Sequence, residues 1–330
     1  MTMKHIKFYL TALLAVLAFP QMSRAQDMAN GKVQALIVVG DVQLIAPDGT
    51  STALKRGQTF EQGNRVHANA GGNALLVMSN GATLKVKSDT TLDVATFQQA
   101  AYDQDTEGTF LRLNKDPSKS ETDLKLSTGS LQGEVKKLNT DSGSKFTVDT
   151  PAGSAGIRGT IIDITIIRNA AGQVTGVIAN CIVGNVGFTP AAGVVITNAT
   201  GGTATTVTNA NISGGGSMTV SLAVDPTTGL ITGGSLSGTN LGANATQALA
   251  DALNETVNQA LVQAGLPTQP PPSIGTSTNT VTVTDANGNT NTISTNTVSP
   301  GAGGSGAAGS GTGAGTGTPV NSNPSTASPA

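Results

Sequence analysis

The side chain with the most chemistry to offer is Arg158, in the stretch Phe146–Ile167, FTVDTPAGSAGIRGTIIDITII. Nowhere else does the chain set a charged residue between two such strongly apolar runs. A guanidinium offers five N–H donors in a planar fork, suited to carboxylates and to the oxygens of a sugar. One reading therefore projects Arg158 outward as a ligand-binding group for an acidic partner or a carbohydrate. The other has it satisfy carbonyls or a nearby carboxylate, Asp163 or Asp149, at a crowded turn. Its setting among apolar runs and glycines favours the structural role.

A second group is Asp103-x-Asp105-x-Glu107-Gly108. Oxygen ligands at alternate positions with Gly at the sixth make up the first half of a calcium-loop spacing. The twelfth position is Asn114 instead of the bidentate Glu that completes such a loop. A solvated acidic loop is the preferred reading, and Ca²⁺ is the one cofactor the residues would admit. Asp285, Asn287 and Asn289 repeat the pattern more weakly.

With residues 1–25 removed as an export signal, His67 is the only histidine left, so nucleophilic or zinc chemistry would have to use it or Cys181, and neither sits in a matching motif. His67 follows Val66 at a strand end and is expected to be an exposed imidazole. Cys181, the only cysteine, lies among Ile178, Ile182 and Val183 and is expected to be a buried apolar filler. No enzyme is expected.

The elements that must position these groups are short strands. Phe146 and Val148 alternate with Thr147 and Asp149, and Ile162, Ile164 and Ile166 alternate after the turn, a period of two. Pro151 ends the first run, and Gly153, Gly156 and Gly159 open the turn region to backbone angles other residues avoid. Ser79-Asn80-Gly81 predicts a hairpin joining Ala74–Met78 to Ala82–Lys87, and Pro47-Asp48-Gly49 predicts another turn. Phe97–Asp123 breaks the rhythm and is expected to be an exposed polar loop. Beyond Arg168, Val/Ile/Thr runs alternate with Gly and Asn, giving further strands. Leu249, Leu253, Val257 and Leu261 fall four apart and predict a helix over 244–265, stopped by Gly265 and Pro267.

The N-terminus resembles an export signal. Lys4 and Lys7 precede the apolar run Phe8–Phe19, Pro20 breaks it, and Ser23-Arg24-Ala25 fits a small-x-small cleavage site. Three of the 18 basic residues (Lys4, Lys7, Arg24) would leave with it, while all 20 acidic ones stay. That balance argues against nucleic acid as a partner. No later segment is apolar enough to span a membrane, so no transmembrane segment is expected after cleavage. Every Lys and Arg lies at or before Arg168. The organisation expected is a signal at 1–25, a β domain at 26–168, a Thr/Asn/Gly-rich β extension at 169–243, the helix at 244–265, and a low-complexity, mostly disordered tail at 266–330. An NG pair at Asn287-Gly288 marks one candidate hairpin inside that tail. The fold class is all-β: a short-strand β roll, solenoid or sandwich with one C-terminal helix.

Taken together, Gly40–Ile167 resembles the FecR protein domain. The similar features are Gly40-Asp41-Val42, Leu54, Gly57, Gly63, Val66, Ala74-Leu75-Leu76, Asn80-Gly81 and Leu124-x-Leu126-x-x-Gly129-x-Leu131. The most specific is the closing Thr150-Pro151-x-Gly153…Ile157-Arg158-Gly159-Thr160-x-Ile162-x-Ile164. The resemblance implies an exported, β-rich, non-enzymatic module. In the regulators that name the family, such a region receives a signal from an outer-membrane transporter and passes it to a sigma factor. An export signal at the start points instead to a stand-alone FecR-domain protein. Its expected place is the periplasm, cell surface or extracellular space. There it would be a binding or interaction module for a protein or glycan partner at the envelope, with a role in envelope signalling as the family's extension. The alternative is a structural component of the cell surface or matrix, suggested by the Thr/Asn/Gly-rich 169–330 region.

Overall fold

A computed structural model of the chain describes residues 27–102, 110–200, 203–272, 274, 277–278, 280–294 and 297–298. The export signal at 1–25, the acidic triad Asp103, Asp105 and Glu107, and the tail from 301 onward lie outside the described residues. Among the described residues the fold is all-β with one α-helix, as the strand alternation and the four-residue apolar stripe predict.

The strands form two mixed layers. In spatial order the first layer runs Ser51–Ala53, Val42–Ile45, Arg65–Ala68, Thr90–Ala100, Ser120–Thr128, Lys145–Thr150, Gly153–Ile157, Asn185–Pro190, Thr203–Ser213, Val281–Asp285 and Thr290–Ser294. Met28–Asn30 pairs with the far end of Thr90–Ala100. The second layer runs Thr59–Phe60, Val33–Val39, Asn73–Met78, Thr83–Val86, Ser130–Val135, Thr160–Arg168, Val174–Val183, Gly216–Val224, Ile231–Asn240 and Ile196–Thr200. The long strand Thr203–Ser213 pairs into both, through Thr203–Thr206 in the second layer and Val207–Ser213 in the first. The opposite ends stay unpaired among the described residues, so the layers do not close into a barrel. The chain crosses between layers while advancing along both, and strands beyond Arg168 extend the same two sheets.

Period-two patterning builds the core between the layers. In Ser120–Thr128, Thr122, Leu124 and Leu126 point inward while Glu121 and Lys125 are exposed. Phe97, Phe146, Phe188, Leu84, Leu131 and Ile157 are among its largest fully buried side chains. Burying a side chain of this size contributes roughly 1.5–3 kcal/mol.

The second layer is buried on its outer face too, because the helix α1 (Ala243–Gln263) lies across it. Leu75, Val77, Ile161 and Ile182 face Ala250, Leu253, Val257 and Leu261 in a separate apolar cluster. Ala74–Met78 is therefore apolar at successive positions, a run that alternation alone does not explain. Polar tethers hold α1: the Gln132 side-chain amide donates to the Leu249 carbonyl at 2.8 Å, and Lys85 Nζ donates to Thr256 Oγ1 at 2.9 Å. Removal from water lowers the Lys85 ammonium's pKa, and neighbouring Lys87 adds to the effect.

One expectation changes. Phe97–Asp123 is not one exposed loop: Phe97–Ala100 completes a strand, Glu121–Asp123 begins another, and Asp116 is buried. Its backbone N–H donates to the Lys137 carbonyl at 2.9 Å, and its Oδ2 accepts from Ser120 Oγ at 2.7 Å. Within 266–330, two described stretches pack against the rest of the fold, one of them the hairpin expected at Asn287-Gly288. Asn258 clamps the backbone of Gln269 through two hydrogen bonds of 3.0 and 2.8 Å. The Asn287-Gly288 turn closes a hairpin of Val281–Asp285 and Thr290–Ser294, and docking on Thr203–Ser213 gives that hairpin the third strand it needs for stability.

Candidate functional site

The closing motif folds as two turns around one short strand. Thr150 Oγ1 donates to the Gly153 carbonyl at 2.7 Å and braces the Pro151 turn. A Cβ at Gly153 would lie 2.3 Å from the Thr189 carbonyl oxygen and 2.7 Å from Phe188, so the close approach of the strands requires glycine there. Gly159 has φ +64 and turns the chain into Thr160–Arg168. Thr160 Oγ1 donates to the Asn185 carbonyl at 3.0 Å and ties that turn to the neighbouring strand.

Between these turns, Gly153–Ile157 buries Ala155 and Ile157 and leaves Ser154 and Gly156 on the outer face of the first layer. Asn185–Pro190 does the same, burying Val186 and Phe188 and turning Gly187 outward. Register places the two glycines side by side: Thr147 opposes Gly156, Gly156 opposes Gly187, and Gly187 opposes Asn211. The result is an open groove of about 750 Å³ with a floor lacking side chains at its centre. One wall carries Lys145, Arg158 and Asn185; the other carries Ser154, Thr189 and Asn209. Asn209 Nδ2 donates to Thr189 Oγ1 at 3.4 Å, and Ser154 Oγ donates to Asp149.

Arg158 is exposed on this rim, and among the described residues it makes no hydrogen bond or ion pair. Neither carboxylate expected to satisfy it is its partner. Asp163 takes Lys87 as its partner at 2.5 Å, and Asp149 takes Ser154. Alternation explains the difference. Asp163 lies on the outer face of the second layer, whereas Arg158 ends a strand of the first.

The other candidate groups are engaged elsewhere. His67 is half-buried instead of exposed, with Nδ1 at 2.9 Å from Thr91 Oγ1 and Nε2 at 3.0 Å from Asn69 Oδ1. Asn69 Nδ2 donates to Asp41, which fixes its oxygen toward the ring, so Nε2 carries the proton in the neutral form. Cys181 is fully buried, its thiol pointing at the Val183 and Gly184 carbonyls, and burial pushes its pKa up to about 12. Asp285 accepts from the backbone of Asn287 and Asn289 in a self-contained turn, and the Asn289 side chain holds its pKa below the ordinary value. Among the described residues no three His, Cys, Asp or Glu side chains gather as a metal site.

Sequence reasoning found Arg158 but missed Asn185, Thr189, Asn209 and Asn211, which belong to the Thr/Asn-rich region. A signal was present in A-G-I and V-G-F, each with apolar residues flanking a glycine, which in a strand puts the glycine on the opposite face.

The molecule is thus a two-layer β protein carrying an open polar groove on one layer. Residues 64–186 match the family described as FecR protein, and this segment is a FecR domain. The match begins later than Gly40 and ends beyond Ile167, taking in Asn185 and Val186 beside the closing motif. No curated protein matches the chain. Two crystal structures of a candidate anti-sigma factor from Parabacteroides distasonis, at 2.50 and 1.65 Å resolution, are similar in part. Each shows 11% identity and a TM-score of 0.29, over 51% of this chain and 57% of that one. The chain spans little more than half the length of those proteins.

Proposed function

We propose that this is an exported, non-enzymatic FecR-domain protein that acts as a binding module of the cell envelope, in envelope signalling. The observation that carries the reading is the groove: the closing motif sets Arg158 on its rim, and among the described residues Arg158 has no hydrogen-bond or ion-pair partner. Such an arrangement leaves the guanidinium's donors for a ligand. Further support comes from the export-like N-terminus and from the engagement of His67 and Cys181 in packing and hydrogen bonding outside this groove.

Cell fractionation with sequencing of the mature N-terminus tests the export. Cleavage after Ala25 and recovery outside the cytoplasm are expected; an intact N-terminus on a cytoplasmic protein would overturn it. A photo-crosslinking residue at Asn209 tests the binding surface, with Gln43 on the same layer as control. Discrete adducts at 209 alone are expected. Equal adducts at both positions, or none at 209, would remove the groove from the reading. Recovery mainly in an insoluble matrix fraction would replace it with a structural surface component.

A further inference from the structure

We propose that the groove binds an anionic polysaccharide, a chain of carboxylated sugars laid across the strands. The inference rests on the groove being the binding surface proposed above, and it names the ligand class. Charge complementarity is the first argument. Lys145 and Arg158 stand on the same rim, and neither has an ion-pair partner among the described residues. Glu121 is the register neighbour of Lys145 on the far side, but no ion pair joins them. A ligand carboxylate would complete both cations by charge-assisted hydrogen bonds.

The remaining lining suits sugar hydroxyls. Thr147, Thr189, Asn185, Asn209 and Asn211 offer donors and acceptors together, as a hydroxyl needs. Strands lie about 4.8 Å apart, so a chain crossing them meets a fresh set of polar groups at a spacing close to one pyranose ring. The glycine floor gives the rings room: a Cβ at Gly187 would meet nothing within 4 Å, and one at Gly156 only the Gly187 carbonyl at 3.8 Å. A protein partner would need apolar anchors. Among the described residues the exposed large apolar side chains, Val39, Val195, Leu230 and Val262, all lie outside the groove.

The test uses the full chain with polygalacturonate and its carboxyl-reduced derivative, read by affinity electrophoresis at low salt. Polygalacturonate should bind at least about tenfold more tightly than the neutral chain. Arg158→Gln and Lys145→Gln should each lower affinity roughly tenfold, the weight of one charge-assisted contact. Gly187→Val should abolish binding while leaving the urea midpoint no lower, because the space it fills is open and Val suits a strand. Absence of binding, equal binding of the neutral chain, or undiminished binding by Gly187→Val would each overturn the proposal. The photo-crosslinking result separates the two failures. Protein adducts at Asn209 without polygalacturonate binding would leave a binding module with a protein ligand. Loss of both would remove the binding reading as well.

Discussion

Lys87→Met should destabilise the fold by about 2–3 kcal/mol, and the geometry of its partner sets the size. Lys87 Nζ lies 2.5 Å from Asp163 Oδ2, and Asp163 is 4% exposed. Two unit charges at that distance attract by roughly 6–7 kcal/mol in an effective dielectric of about 20. Desolvation of the carboxylate opposes most of this, so the pair itself adds little; the loss comes from leaving the carboxylate buried alone. Breaking a fully buried pair costs about 3–5 kcal/mol. The Lys87 side chain keeps 35% exposure, so water reaches the site and the value falls below that range. Thr165 Oγ1, at 3.5 Å from Asp163 Oδ1, is too distant to replace the ammonium. The measurement is urea unfolding followed by circular dichroism, since the chain has no Trp. An unchanged slope shows that the midpoint reports stability. Lys87→Met with Asp163→Asn removes both charges and should recover all but about 1 kcal/mol. A loss below about 0.5 kcal/mol in the single variant, or a double variant as unstable as the single, would refute the orphan-charge reasoning.

Other outcomes follow from the same structure. The buried Cys181, with its pKa pushed to about 12, should resist aromatic disulfide reagents at neutral pH until the protein unfolds; rapid labelling without loss of circular dichroism would contradict this burial. Leu253→Ala empties a site between α1 and the second layer and should lower stability by about 2–4 kcal/mol; an unchanged urea midpoint would mean that α1 is not docked. Asp123 has its pKa raised, chiefly by burial and further by Asp149, with Lys125 opposing, and its Oδ1 lacks a partner among the described residues. A carboxyl with a raised folded-state pKa destabilises the fold where it is ionised, and that burden disappears as pH falls through the folded pKa to below the ordinary 3.8. Asp123→Asn should therefore be more stable than the parent at neutral pH and lose its advantage in acid. An advantage unchanged between those conditions would refute the assignment.

Much of the fold was legible because its determinants are local. Alternation in Phe146–Val148 and Ile162–Ile166, the Asn80-Gly81 turn and the four-residue stripe of α1 each need only a short window of sequence. What escaped was set by contacts distant in the chain. Leu75 and Val77 are buried because α1, far along the sequence, covers them. Asp163 meets Lys87 instead of Arg158 because strand register and sheet face decide it, and neither can be read within the motif. Asp116 joins the interior through the Lys137 carbonyl and Ser120, although its surroundings in sequence are charged and polar. The groove is the extreme case. Four strands contribute to it, and its polar residues look like bland Thr/Asn filler until pairing sets them opposite the closing motif.

The glycines of that motif can now be told apart. A strand glycine weakens the fold by about 0.5–1 kcal/mol relative to alanine, so each needs a reason. At Gly153 the reason is the Thr189 carbonyl, which leaves no space for a Cβ; at Gly159 it is a left-handed backbone. Gly156 and Gly187 have neither constraint. Their backbone angles admit any residue and the space above them is open. Substituting Val at either position should therefore hold or raise stability, whereas Gly153→Val should lower it sharply. Two glycines that the fold does not require, paired in register beside an arginine without a partner among the described residues, are what the groove ligand proposed above would need.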